Sequence, residues 1–124
     1  MAAPRPHGIP RMEPLWWGLF SAGGFLAAFL VPIHLLVNGL AVPLGWIGPE
    51  ITSFERLSTL LGRPLIRLYL FAFISLPLYH WAHRFLFTVQ DMGLARIRTT
   101  LAVLCYGSAV AGTVWTAWVL LRLP

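Results

Sequence analysis

Long apolar stretches broken by short polar ones set the pattern of this chain. From Pro14 to Pro49 no Asp, Glu, Lys or Arg occurs, a run well beyond the roughly 20 residues an α-helix needs to cross the hydrocarbon core. It predicts a first transmembrane helix at about residues 15–42 and is far too long for the h-region of a cleaved signal peptide. The turn-rich stretch Pro43 to Gly48 ends it. Ser53 to Leu61 then predicts a short amphipathic helix. Phe54, Leu57 and Leu61 share a face, Thr52 and Glu55 have capping-box spacing, and Gly62 with Pro64 stops it. A helix this short with one apolar face suits the membrane interface. A second spanning helix follows at about residues 64–89, interrupted by Arg67, His80, His83 and Arg84. Pro77 lies inside it and removes the bond to the Phe73 carbonyl, which predicts a kink. Gln90 to Arg98 reads as a polar loop containing Gly93. Residues 99–121 form a clean third span flanked by Arg98 and Arg122, with Trp115 and Trp118 near its end as interfacial aromatics. Residues 1–13, with three prolines, Gly8, two arginines and Glu13, read as an extended N-terminal arm. The fold class is therefore all-α and membrane-embedded. It has three transmembrane helices, a short interfacial helix between the first two, and one domain over residues 1–124.

Composition strengthens this picture. Apolar residues make up 58% of the chain and charged residues 10%, whereas a soluble domain is about a quarter charged. A chain of 124 residues with so few charges cannot cover its own apolar surface, so lipid or a membrane partner must. The net charge of +5 comes from arginines at the edges of apolar blocks. That distribution fixes orientation in a membrane and does not form the dense basic stripe of a nucleic-acid-binding protein. The single cysteine, Cys105, can make neither an internal disulfide nor a zinc site, and reads as a small packing residue. No nucleophile–base pair, phosphate-cradling glycine loop or cysteine cluster is visible, so catalysis by this chain alone is not expected.

Two constellations could carry chemistry. Trp16-Trp17-Gly18-Leu19-Phe20-Ser21-Ala22-Gly23-Gly24 opens the first helix. Trp16 there has the ordinary reading of a belt residue. Gly23 and Gly24 fall four residues before Ala27 and Ala28, a spacing that lets another helix approach closely. Gly107 with Ala111 and Ser108 with Gly112 repeat it in the third helix. Trp17 and Phe20 lie three apart on one helical face and could wall a site for a flat ring. In the second helix His80, His83 and Arg84 share a face, and ionisable groups within a span are functional suspects. The bland alternative is that Arg84 snorkels to the headgroups and His83 bonds a neighbouring helix. Because the first two helices are antiparallel, Trp17 and His83/Arg84 stand at similar depth. Aromatic walls with a His or Arg donor suit a quinone, whose carbonyl oxygens need hydrogen bonds and whose ring needs apolar contact. His34 invites a haem reading. At about 1.5 Å per residue it lies roughly 28 Å into the first helix, and His80 roughly 23 Å into the returning one. In a core about 30 Å thick the two differ in height by roughly 20 Å and cannot share an iron. A histidine from a partner protein could complete a haem site; otherwise His34 hydrogen-bonds a partner helix.

The chain resembles the D-subunit family of bacterial quinol:fumarate reductases. Glu13-Pro14-Leu15-Trp16-Trp17-Gly18-Leu19-Phe20-Ser21-Ala22-Gly23-Gly24 fits the family pattern E-P-x-x-W-G-L-F-x-A-G-G. Pro32, Pro43-Leu44-Gly45, Glu55-Arg56, Gly62-Arg63, Leu76-Pro77-Leu78, His83-Arg84 and Asp91 follow in the family's order. The resemblance covers about residues 13–91; the third helix fits in hydrophobicity only. It implies a membrane anchor in the bacterial inner membrane, with its N-terminus cytoplasmic and its C-terminus on the opposite side. It implies three partners, the C, B and A subunits of fumarate reductase: a second membrane anchor, an iron–sulfur protein and a flavoprotein that reduces fumarate. It further implies menaquinol binding shared with those partners and no haem. The family's site residues fall here on Trp17, Phe20, His83 and Arg84. This sequence departs from the family just after His-Arg, where some members carry further histidines and this chain has Leu86 and Phe87. No proton path through those positions is carried over, and His80 inherits no role.

Three readings follow: a quinol-binding anchor of fumarate reductase, a haem b-binding anchor of the succinate dehydrogenase kind, and a cofactor-free structural adaptor. Reduced-minus-oxidised spectra separate the first two, and quinol turnover in His83 or Arg84 variants separates the third. Topology gives the first test. With a cytoplasmic N-terminus, that side holds Arg5, Arg11, Arg84, Arg96 and Arg98, against Arg56, Arg63, Arg67 and Arg122 on the other, a five-to-four excess in the direction of the positive-inside rule. A reporter fused after Pro124 is expected on the non-cytoplasmic side and one inserted near Gly93 on the cytoplasmic side; protease or alkylation mapping giving the reverse would invert the bundle.

Overall fold

A computed structural model describes residues 13–123 of the chain. The N-terminal arm read at 1–13 lies, but for Glu13, outside the described residues. Four α-helices and no strands occur among the described residues: α1 at Glu13–Leu36, α2 at Phe54–Leu61, α3 at Pro64–Val89 and α4 at Arg98–Arg122. Three helical segments, Pro14–Ala41, Pro64–Leu94 and Arg98–Arg122, are long and apolar enough to cross a membrane. The chain is an all-α, multi-pass membrane protein.

Local chemistry explains where the helices stop. α1 runs through Pro32 and continues as a π-helical turn, Val37–Ala41. The turn closes by Gly45, whose φ of 73° needs a residue without a Cβ and whose N–H donates to the Val42 carbonyl at 3.0 Å. α2 starts one residue later than the capping-box spacing suggests. Ser53, not Thr52, is the N-cap, and its hydroxyl accepts from the Arg56 N–H at 3.4 Å. Thr52 instead donates to the Pro49 carbonyl at 3.0 Å and closes a 3₁₀ turn over Pro49–Thr52. The apolar face of α2, made by Phe54, Leu57 and Leu61, lines one recess with Leu123, which follows α4. Arg63 is extended, as the residue before a proline must be, and Pro64 occupies the first turn of α3, where a missing N–H costs nothing. The polar stretch after Val89 is more ordered than a loop. The helical path persists through a π turn at Gln90–Leu94 until Gly93, at φ 98°, breaks it. A 3₁₀ turn at Ala95–Ile97 then starts α4.

α3 lies between α1 and α4 and packs against both. The α3–α4 core is Ala82, Leu86, Cys105 and Ala109, with Leu78, Tyr79, Leu101, Ala102 and Tyr106 around it. Small residues at Ala82 and Ala109 bring the two backbones together, and Gly112 receives the Leu78 side chain 2.8 Å from where a Cβ would stand. Gly107, Ser108 and Ala111 lie on the exposed side of α4, so only part of the small-residue pattern serves packing within this chain. On the other side Gly23 is buried against α3, and a Cβ there would run into the Leu76 carbonyl. Among the described residues no large side chain is fully buried, while Phe25, Phe29, Trp46 and Leu121 stand open. The bundle's outer surface is thus apolar and made for lipid or protein cover.

The Gly23 contact generates a stability test. Gly23→Ala forces a methyl onto a backbone carbonyl that cannot swing aside, an overpacking error of about 1–3 kcal/mol. Gly18→Ala adds a methyl where nothing lies within 4 Å. Thermal unfolding in detergent should show a clear loss for the first and little for the second; equal midpoints would mean that α1 and α3 are not in contact there.

Candidate functional site

The site forms where α1 begins, α3 ends and α4 begins. Antiparallel packing of α1 on α3 sets the depth, and helical spacing sets the faces. Trp17 and Phe20 look toward α3, and His80, His83 and Phe87 look back. The rings interlock. Trp17 meets Phe20 edge-on at 5.7 Å between centroids and lies 5.3 Å from His83. Phe20 is 4.7 Å from His83 and stacks on His80 at 4.4 Å with planes 11° apart. Phe87, one turn further along α3, also packs on His83 at 4.7 Å.

His80 is held by α1. Its Nδ1 lies 3.0 Å from the Phe20 carbonyl, and its ring sits where a Cβ on Gly24 would come within 2.6 Å of Nδ1. Gly24 therefore gives the imidazole room, as Gly23 gives room to the α3 backbone. His83 is held by α4: its Nδ1 lies 2.8 Å from the Tyr106 hydroxyl oxygen. Trp16, one residue from Trp17 and so turned toward α4, packs 5.7 Å from Tyr106 and 6.4 Å from Tyr79. Trp16, Trp17, His83 and Tyr106 together line a cleft of about 390 Å³, within the usual range for a small-molecule site. Its walls are aromatic and its polar atoms are those of an imidazole, a phenol and indoles, so it can take a flat apolar ring carrying hydrogen-bonding oxygens.

Of the residues singled out from sequence, Trp17 and His83 are on the cleft wall and Phe20 backs them. Arg84 is exposed and does not line the cleft. Trp16, given a belt reading, is a wall residue as well. Tyr106 is the wall residue that sequence reasoning misses, because the third helix reads as an apolar span with small packing residues and interfacial tryptophans, and with no polar site. A signal is present: Tyr106 is the lone tyrosine of that helix, about as far past the α3–α4 connection as His83 is before it. His34 is elsewhere. Its Nε2 lies 2.8 Å from the Tyr69 hydroxyl, and its ring is 4.9 Å from Phe73. It thus packs near the start of α3, while His80 packs near the end, and the two cannot share a metal ion.

The sequence matches the family model for the D subunit of fumarate reductase over residues 10–121. The fumarate reductase D subunit of Mycobacterium tuberculosis is 38% identical over 112 residues, covering 90% of this chain and 88% of that protein. The D subunit of Aliivibrio fischeri is 38% identical over 102 residues, covering 82% of this chain and 84% of its own length. That of Aliivibrio salmonicida is similar to the same degree.

Proposed function

Since the chain belongs to the D-subunit family of fumarate reductase, we propose that it anchors a fumarate reductase to the bacterial inner membrane and helps bind menaquinol there. Its partners in this reading are the enzyme's C, B and A subunits: a second membrane anchor, the iron–sulfur protein and the flavoprotein. The chain itself is a non-catalytic part of the oxidoreductase. Its N-terminus is cytoplasmic, so the cleft lies on the side where the iron–sulfur protein docks.

The observation that carries the reading is the convergence of Trp17 and Phe20 from α1 with His83 from α3 around one aromatic cleft. Menaquinol must give up two protons and two electrons close to the iron–sulfur protein. Trp17 and Phe20 hold its ring by apolar contact, and Trp17 adds an indole N–H donor. His83 exchanges a proton with a quinol oxygen, as imidazoles do near neutral pH. Arg84 is the next residue along α3 and is exposed, so it meets the ligand only where the docked partners close the cleft. It offers a charge that does not titrate. The cleft's volume and aromatic lining support a flat bicyclic ring. The quinol's electrons leave through the iron–sulfur protein.

A hydrogen bond to a charged donor is worth roughly 1.5–3 kcal/mol, so Arg84→Leu should weaken quinol binding by roughly 10- to 100-fold. His83→Gln keeps a donor and loses proton exchange, and should lower turnover more than affinity. Fumarate reduction driven by an artificial dye, which bypasses the membrane, should be nearly unchanged in both. The comparison is quinol-driven against dye-driven activity in the same membranes. A proportional fall in both for Arg84→Leu makes the residue one of assembly, and no fall in either makes it a surface arginine.

A further inference from the structure

The bond between His83 and Tyr106 divides the imidazole. Nδ1 is taken up by α4, through the Tyr106 hydroxyl at 2.8 Å. Nε2 is then the nitrogen left for anything bound in the cleft, which both residues line. Tyr106 is itself firmly seated. Its neighbour Cys105 and Ala109 one turn on belong to the α3–α4 core, and Trp16 packs on its ring. From this geometry we propose that Tyr106 is a positioning residue for quinol oxidation: it holds His83 Nδ1, fixes the ring's orientation, and thereby aims Nε2 at the quinol oxygen. The inference rests on the quinol reading of the cleft.

A phenol hydroxyl both donates and accepts, so it can serve either tautomer of His83 and accepts from Nδ1 in the one that can take up a proton. With Nδ1–H donating to the Tyr106 oxygen, Nε2 carries a lone pair and no hydrogen. A quinol O–H can then transfer its proton to Nε2. The O–H bond breaks with its electron pair staying on the quinol oxygen, an Nε2–H bond forms, and His83 becomes imidazolium. Throughout, Nδ1–H keeps donating to Tyr106, and the bond becomes charge-assisted and stronger as the ring gains its charge. A partner that orients a histidine through its other nitrogen is the recurrent way in which proteins set which nitrogen reacts. Without the hydroxyl, the ring loses both the partner that orients it and the bond that strengthens as it gains its charge.

Activity is measured on the fully assembled enzyme in membranes, with Tyr106→Phe, His83→Gln and the double variant. Tyr106→Phe keeps the ring against Trp16 and loses only the hydroxyl. Quinol-driven kcat, normalised to dye-driven activity, should fall roughly 10-fold, the order expected for one lost hydrogen bond to a charged group, with KM for quinol little changed. The double variant should be no slower than His83→Gln alone, because Tyr106 acts through that ring. An unchanged kcat in Tyr106→Phe beside a lowered one in His83→Gln overturns the inference and leaves the quinol reading standing. So does a double variant whose loss is the product of the two single losses. An unchanged kcat in His83→Gln overturns both. If Tyr106→Phe fails to assemble, Tyr106→Gln, whose amide oxygen can accept from Nδ1, is compared with Tyr106→Leu, which cannot. Faster turnover per assembled enzyme with Gln supports the role, and equal turnover overturns it.

Discussion

Gly23 meets the backbone of α3 at the Leu76 carbonyl with no side chain between them, and this contact sets the height of α1 against α3. Everything at the site is reckoned from it. One residue on, Gly24 admits the His80 ring; one turn back, Phe20 stacks on that ring and offers it a carbonyl. A further turn back, Trp17 reaches His83. In a bilayer, hydrophobic burial gives helices little reason to associate, and close backbone approach with satisfied polar groups takes its place. A glycine pair flanked by aromatics is one solution to that problem, and here it brings two imidazoles into register with two aromatic rings.

On its other side α3 obeys the same rule with different residues. Ala82 and Ala109 let α4 approach, Gly112 receives Leu78, and Tyr106 meets His83. Tyr79 and Thr113 form a second polar contact at 3.4 Å, with Thr113 also donating to the Ala109 carbonyl at 2.8 Å. Since a threonine hydroxyl has one proton, the shorter bond claims it, and the Tyr79 hydroxyl serves as donor to Thr113. Tyr79, His80 and His83 are thus each met by a neighbouring helix, as a lipid solvent demands of polar groups within a span.

Much of this is legible in the sequence because a membrane imposes simple rules. The three spans follow from the spacing of charges, the antiparallel pairing of the first two from successive crossings of one bilayer, and the meeting of Trp17 with His83 from helical rise alone. What escapes depends on side-chain direction. Trp16 and Trp17 are adjacent letters of one type, yet about 100° of helical rotation sends one to α4 and the other to α3. Thr52 and Ser53 both suit an N-cap, and the choice falls to Ser53 because Thr52 is occupied closing a preceding turn. Tyr106 lies in a helix whose apolar character hides its one phenol. His80, without a counterpart in the family pattern, has its ring over Gly24 and stacked on Phe20.

The central position of α3 also bears on how the chain is made. α3 carries Arg67, His80, His83 and Arg84, and is the least hydrophobic of the three spans. α1, already synthesised, can offer the Phe20 carbonyl to His80 at once. His83 must wait for Tyr106, which leaves the ribosome only after the Gln90–Ile97 connection and the first turns of α4. At about 5–20 residues per second, the interval is on the order of a second. For that time one imidazole of α3 faces the insertion machinery or the bilayer with its α4 partner still unmade. The step from α3 to α4 is therefore the moment in biogenesis at which this chain has most need of a chaperoning neighbour.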